Sequence, residues 1–141
     1  MLKLLVPIEE NEFRKDMIGS LILWLNRIET PFHLHLINVQ PDLHGDIGLF
    51  VSHHQIEDFQ HEAGVKALKG AMKQLDQEVI PYDHHIFAGD AAGIINEFSR
   101  QNGIHQIVIG YRASGTLEAI FGGGLLSKVI QHSEIPVMLI K

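Results

Sequence analysis

The 141-residue chain contains no cysteine, which excludes disulfides, thiol nucleophiles and thiolate metal sites. Basic residues are scarce: 11 Lys and Arg stand against 17 Asp and Glu, a formal net charge of −6, and they form no cluster. Nucleic acid is recognised through concentrated positive charge, so no nucleic-acid partner is expected. No run approaches the roughly 20 apolar residues of a membrane helix; the longest stretch, Ile18 to Leu25, is broken by Gly19 and Ser20. The opening Met1-Leu-Lys-Leu-Leu-Val-Pro7 is too short for a signal-peptide core and runs into Glu9, Glu10 and Glu12 rather than a small-residue cleavage site. It reads as a strand, and the chain as a cytoplasmic protein with no membrane contact.

What is present is a steady alternation of apolar runs and helical periodicities. Leu2 to Ile8 has the continuous apolar character of a strand buried on both faces. Asn11 then caps a helix in which Phe13, Met17, Leu21, Trp24 and Ile28 recur every three or four residues. Phe32 to Val39 is a second strand, and Gln40 to Gly48 is a turn-rich connection. A long helix spans about Ser52 to Glu78, with Ile56, Phe59, Ala63, Ala67, Ala71 and Leu75 as its expected buried side. Pro81 to Ala88 forms a third strand weakened by Asp83, His84 and His85; Asp90 caps a third helix, and Gly103 stops it. Ile104 to Ile109 and Ile135 to Ile140 are the last two strands, separated by a glycine-rich loop and a short helix.

Strict alternation of this kind predicts one α/β domain over residues 1–141, a five-stranded parallel sheet with helices on both faces. Right-handed crossovers make it doubly wound, and such folds bind ligands outside the carboxyl ends of the strands, where the winding reverses. The strand ends at Glu9, Val39, Ala88 and Gly110 are therefore the places for a site. At the last of these, Gly110 ends an apolar run, and Gly122, Gly123 and Gly124 precede the next helix. Glycines let backbone N–H groups approach an anion closely, and a helix start adds unpaired donors and a positive dipole end. Such a loop serves either as a phosphate cradle or as a plain connection.

Leu5-Val-Pro-Ile-Glu9, Gly89-Asp90 with Ile94, Ile107-Val-Ile-Gly-Tyr-Arg112 and Val129-Ile-Gln-His-Ser-Glu-Ile-Pro-Val-Met-Leu-Ile140 together resemble the universal stress protein family over essentially the whole chain. His132 and Ile135-Pro136-Val137 carry the most diagnostic part of the likeness. The resemblance implies a stress-associated regulator with a cleft for ATP or another adenine nucleotide. Nucleotide-binding members carry G-x2-G-x9-G-[ST], and this chain reads Gly110-x2-Ala113-x9-Gly123-Gly124. The frame is kept, but the second glycine is Ala113 and the hydroxyl residue is Gly124. If position 113 requires positive φ, alanine costs about 1 kcal/mol or somewhat more; a lost hydroxyl-to-phosphate bond costs ~1.5–3 kcal/mol. Glu9 replaces the aspartate that meets adenine in such members. The resemblance therefore implies a weakened nucleotide site in which Glu9 and Val39 face the adenosine while Gly110, Arg112, Ala113, Gly123 and Gly124 surround the phosphates. The alternative is a member that binds no nucleotide and works through protein partners. The family also implies a homodimer paired through the last strand, Ile135 to Ile140, which would otherwise be a bare apolar edge.

Ten histidines raise the question of a metal. His33 and His35 share a strand face, whereas His84 and His85 point to opposite faces. With no carboxylate or cysteine at ligand spacing, no metal is predicted. Ser114 and Ser127 lie outside any nucleophile-elbow pattern, and G-x4-G-K-[ST] is absent, so no catalytic residue is assigned and the protein is not expected to be an enzyme, slow ATP hydrolysis in the same cleft being the enzymatic alternative.

Overall fold

The computed structural model describes residues 1–9, 15–43, 51–110 and 124–141. Apolar runs and helical periodicities become, in order, β1 (Leu2–Pro7), α1 (Lys15–Leu25), β2 (Phe32–Gln40), α2 (His53–Gln77), β3 (Tyr82–Ala88), α3 (Ala91–Gln101), β4 (Gln106–Gly110), α4 (Leu125–His132) and β5 (Val137–Ile140). The strands form one five-stranded parallel sheet in the order β3-β2-β1-β4-β5. The expected α/β architecture is therefore present. Asn11, Phe13 and most of the connection before α2 lie outside the described residues, as do Arg112, Ala113 and Gly123.

Alternate residues of a strand face opposite sides, and the sheet uses both sides. Leu4, Val6, Leu34, Leu36 and Val108 meet α1 and α2 through Ile18, Leu21, Leu68 and Leu75. Leu5, Ile37, Ile107 and Ile109 meet α3 and α4 through Ala92, Ile95, Phe98 and Val129. Full burial of a side chain this size contributes ~1.5–3 kcal/mol, so these two layers supply most of the driving force. The chain winds from β1 outward to β3 and then crosses back to β4 and β5, which sets the reversal between β1 and β4.

Two expectations need correction. Phe59 is 59% exposed, and Gln60 and Gly64 are buried in its place. Buried positions on α2 are Ile56, Gln60, Gly64, Ala67, Leu68, Ala71 and Leu75, so Ile56, Ala67, Ala71 and Leu75 are buried as expected and Gln60, Gly64 and Leu68 join them. At Gly64 a Cβ would lie 2.4 Å from Ile86 Cγ2, so the helix approaches β3 at a distance only glycine allows. Gln60 satisfies its buried carboxamide by donating from Nε2 to the Pro41 carbonyl at 2.9 Å. Helix α1 stops at Leu25 rather than Ile28, because the Arg27 N–H closes a tight bond to the Trp24 carbonyl. Ile28 still packs on the core from beyond the helix.

Candidate functional site

The winding of the sheet reverses between β1 and β4. Pairing of β1 with β2 runs the whole length of β1, from Leu2↔Phe32 to Pro7↔Ile37. Pairing of β1 with β4 comprises Leu4↔Gln106 and Leu5↔Ile107, although β1 continues to Pro7 and β4 to Gly110. The strands part where the winding reverses, as the doubly wound fold requires of a ligand crevice.

The sequence-predicted residues that are described stand near strand carboxyl ends or at a helix start. Glu9 follows β1 and is partly buried. Val39 lies near the end of β2, partly buried against the α3 and α4 layer. Gly110 is the last residue of β4, and Gly124 is the N-cap of α4. The chain positions the end of β1 with a residue that sequence reasoning did not single out. Asn38 is 2% exposed, and its Nδ2 donates to the Ile8 carbonyl at 2.8 Å, while its Oδ1 accepts from Gln40 Nε2 at 2.7 Å. The Ile8 N–H in turn donates to the Ile37 carbonyl at 2.9 Å. The backbone just before Glu9 is thus tied to β2 from both sides. The one available signal was an asparagine inside an apolar strand.

Gly110 has a packing reason for lacking a side chain. A Cβ there would lie 2.8 Å from Met17 Cγ and 3.1 Å from Met17 Cε on α1. Among the described glycines, positive φ occurs at Gly89 and Gly103 and not at Gly110.

The start of α4 differs from those of α2 and α3. Ser52 and Gln55 form a reciprocal capping box on α2, and Asp90 accepts from the Gly93 N–H on α3. Gly124 makes no side-chain cap bond; α4 begins with the backbone bond from the Lys128 N–H to the Gly124 carbonyl at 3.1 Å. First-turn N–H groups of α4 therefore have no side-chain acceptor at the N-cap, at the positive end of the helix dipole. Chemically, such a helix start favours an anion.

Away from the strand ends, a groove of about 320 Å³ lies between α3 and the segment leaving α4, lined by Asn96, Arg100, His132 and Glu134 among others. The carboxamide N and O of Asn96 are buried there without a partner among the described residues. No described helix is long and apolar enough to cross a membrane.

An open five-stranded parallel sheet whose winding reverses between β1 and β4 places the chain in the class of doubly wound α/β proteins. Within that class the assignment is specific. The family model for the universal stress protein family matches residues 1–141, and the chain belongs to that family. No curated protein sequence matches it significantly. Among solved structures it is similar to the hypothetical protein MJ0577, with 18% identity, TM-score 0.73, and 99% of this chain and 95% of that one covered. It is likewise similar to the universal stress protein from Archaeoglobus fulgidus in complex with dAMP, at 17% identity, TM-score 0.66, and 100% and 98% coverage. A family protein from Arabidopsis thaliana with AMP bound shows 19% identity, TM-score 0.64, and 100% and 92% coverage.

Proposed function

We propose that this protein is a cytoplasmic, stress-associated regulator that binds an adenine nucleotide weakly in the crevice between β1 and β4 and does not turn it over. The observation that carries the reading is the start of α4, whose N-cap Gly124 makes no side-chain cap bond. The family supplies the ligand class: its solved members include proteins with dAMP, AMP and cAMP bound. Glu9 and Val39 face the adenosine side in this reading, and Gly110, Arg112, Ala113, Gly123 and Gly124 surround the phosphates. Ala113 and Gly124 weaken the site by removing a glycine and a hydroxyl. Backbone N–H groups then provide most of the phosphate contacts, which favours binding and retention over chemistry. A homodimer forms through β5, an edge strand on which Leu139 is 41% exposed.

Calorimetry with ATP, ADP, AMP and cyclic AMP tests the nucleotide claim. Saturable heat with at least one of them is expected, and absence of heat and of any thermal shift at millimolar ligand contradicts it. A second reading, in which the loop is vestigial and the protein works through protein partners, rests on Ala113 and Gly124. Under that reading the parent chain binds no nucleotide, and restoring glycine and serine at these two positions creates binding.

A further inference from the structure

Alternation along β2 puts His33 and His35 on one face, and the pairing His35↔Asp83 and Ile37↔His85 puts Asp83 and His85 of β3 on that same face. This is the α3 side of the sheet, at the end of β2 opposite the crevice. His33 is six residues before Val39, which at about 3.3 Å per residue is roughly 20 Å along the strand. The four side chains touch. His33 Nε2 lies 2.6 Å from Asp83 Oδ2, and His35 Nδ1 lies 3.0 Å from His85 Nε2. The His33 and His35 rings stack with centroids 4.4 Å apart and planes within 6°.

One ligand atom from each of His33, His35 and Asp83 lies within 4.8 Å of the other two. A tetrahedral ion with metal–ligand bonds of about 2.0–2.1 Å requires ligand atoms about 3.3 Å apart. Closing the widest gap by about 1.5 Å and opening the His33–Asp83 contact by less than 1 Å, through side-chain rotation on two paired strands, meets that requirement. The backbone is already held by the ladder.

We propose that His33, His35 and Asp83 bind a divalent transition-metal ion, with Zn²⁺ as the best match, and that His85 orients the His35 ring by its hydrogen bond. Two imidazoles and a carboxylate suit Zn²⁺ and its neighbours Co²⁺ and Ni²⁺, and disfavour Mg²⁺ and Ca²⁺, which take oxygen ligands. Asp83 is exposed, so water completes the coordination. The local electrostatics suit the task. Burial first, and the neighbouring histidines second, lower the His35 pKa from the ordinary imidazole value. Burial holds His85 low as well, against the pull of Asp83. The hydrogen bond from His33 keeps Asp83 below the usual carboxylate range and ionised. From α3, Phe98 packs on the His35 and His85 rings at 5.8 and 4.6 Å, an apolar wall that limits ring motion. From β1, Lys3 is the opposing charge, with its Nζ donating to the Asn102 carbonyl at 3.2 Å. This site is independent of the nucleotide reading and shares no residue with it.

The test is titration of untagged full chain with Zn²⁺ by calorimetry, together with Co²⁺ absorption spectroscopy as a report of coordination geometry. One Zn²⁺ per chain is expected in the micromolar range or tighter, with visible Co²⁺ bands of a four-coordinate N/O site. His33→Gln and Asp83→Asn, both at accessible positions, should each weaken Zn²⁺ by at least about tenfold. The control His53→Ala/His54→Ala, on α2, should leave it unchanged. Unfolding curves without metal establish that each variant is folded. Absence of micromolar Zn²⁺ binding overturns the proposal, as does a titration that His33→Gln and Asp83→Asn leave unaltered.

Discussion

Replacing Gly124 with serine should strengthen ATP binding about five- to sixtyfold. The position suits a side chain: its backbone is extended at φ −71° and ψ 179°, and a Cβ there meets none of the described residues within 4 Å. In the free protein the new hydroxyl caps a first-turn N–H, which is worth only a few tenths of a kcal/mol relative to glycine. In the complex it instead donates to a phosphate oxygen, and bonds to charged groups contribute ~1.5–3 kcal/mol. Subtracting the lost cap leaves about 1–2.5 kcal/mol, which is the stated range in Kd. Calorimetry at fixed salt, with Gly124→Ala as the control for the added Cβ, measures it. The reasoning is refuted if serine leaves Kd unchanged, or if alanine gains as much as serine.

The end of α2 offers an internal comparison. Val79 sits at φ 55 and 87% exposed, with its N–H on the Asp76 carbonyl and the Ile80 N–H on the Leu75 carbonyl, while Gly103 at φ 62 occupies the corresponding place after α3. Val79→Gly should therefore raise stability by about 0.5–1 kcal/mol in urea unfolding, since the relieved left-handed strain exceeds the added chain entropy of glycine; a loss of stability would contradict this. Asn38→Ala removes the bonds to the Ile8 carbonyl and Gln40 from a buried place and should cost about 1–3 kcal/mol, with weaker nucleotide binding as the β1 end loosens. Tyr82 is pushed up from 10.0 to about 12, first by burial and then by its hydrogen bond with Asp76. The folded state thus keeps a proton that the unfolded chain releases above pH 10, so stability should fall between pH 10 and 12, and Tyr82→Phe should flatten that limb of the urea midpoint profile.

The sheet was legible because its information is local. Leu2 to Ile8 and Ile104 to Ile109 read as buried strands from their runs alone, and alternation with helices dictated a parallel, doubly wound arrangement. The buried stripe of α2 was misread at Phe59, because apolarity is a property of the residue, whereas the choice of Gln60 and Gly64 depends on Ile86 and Pro41 in other elements. Gly110 was found for its place in a motif, but its contact with Met17 is tertiary. Asn38 and Asp83 were missed for the same reason. Asp83 stands 50 positions from His33 and reads as a blemish in a strand until the β2–β3 register sets it beside two imidazoles. Family likeness supplied the roles assigned to Arg112, Ala113 and Gly123, which lie outside the described residues.

The central claim is a nucleotide crevice at the carboxyl ends of β1 and β4, and amide chemical-shift mapping during titration with ATP tests it most directly. Saturable shifts are expected at Glu9, Gln40, Gly110 and the first turn of α4 from Leu125 to Ser127, with His33, His35 and Asp83 unmoved. Absence of shifts at millimolar ATP, or shifts centred away from these strand ends, contradicts the account.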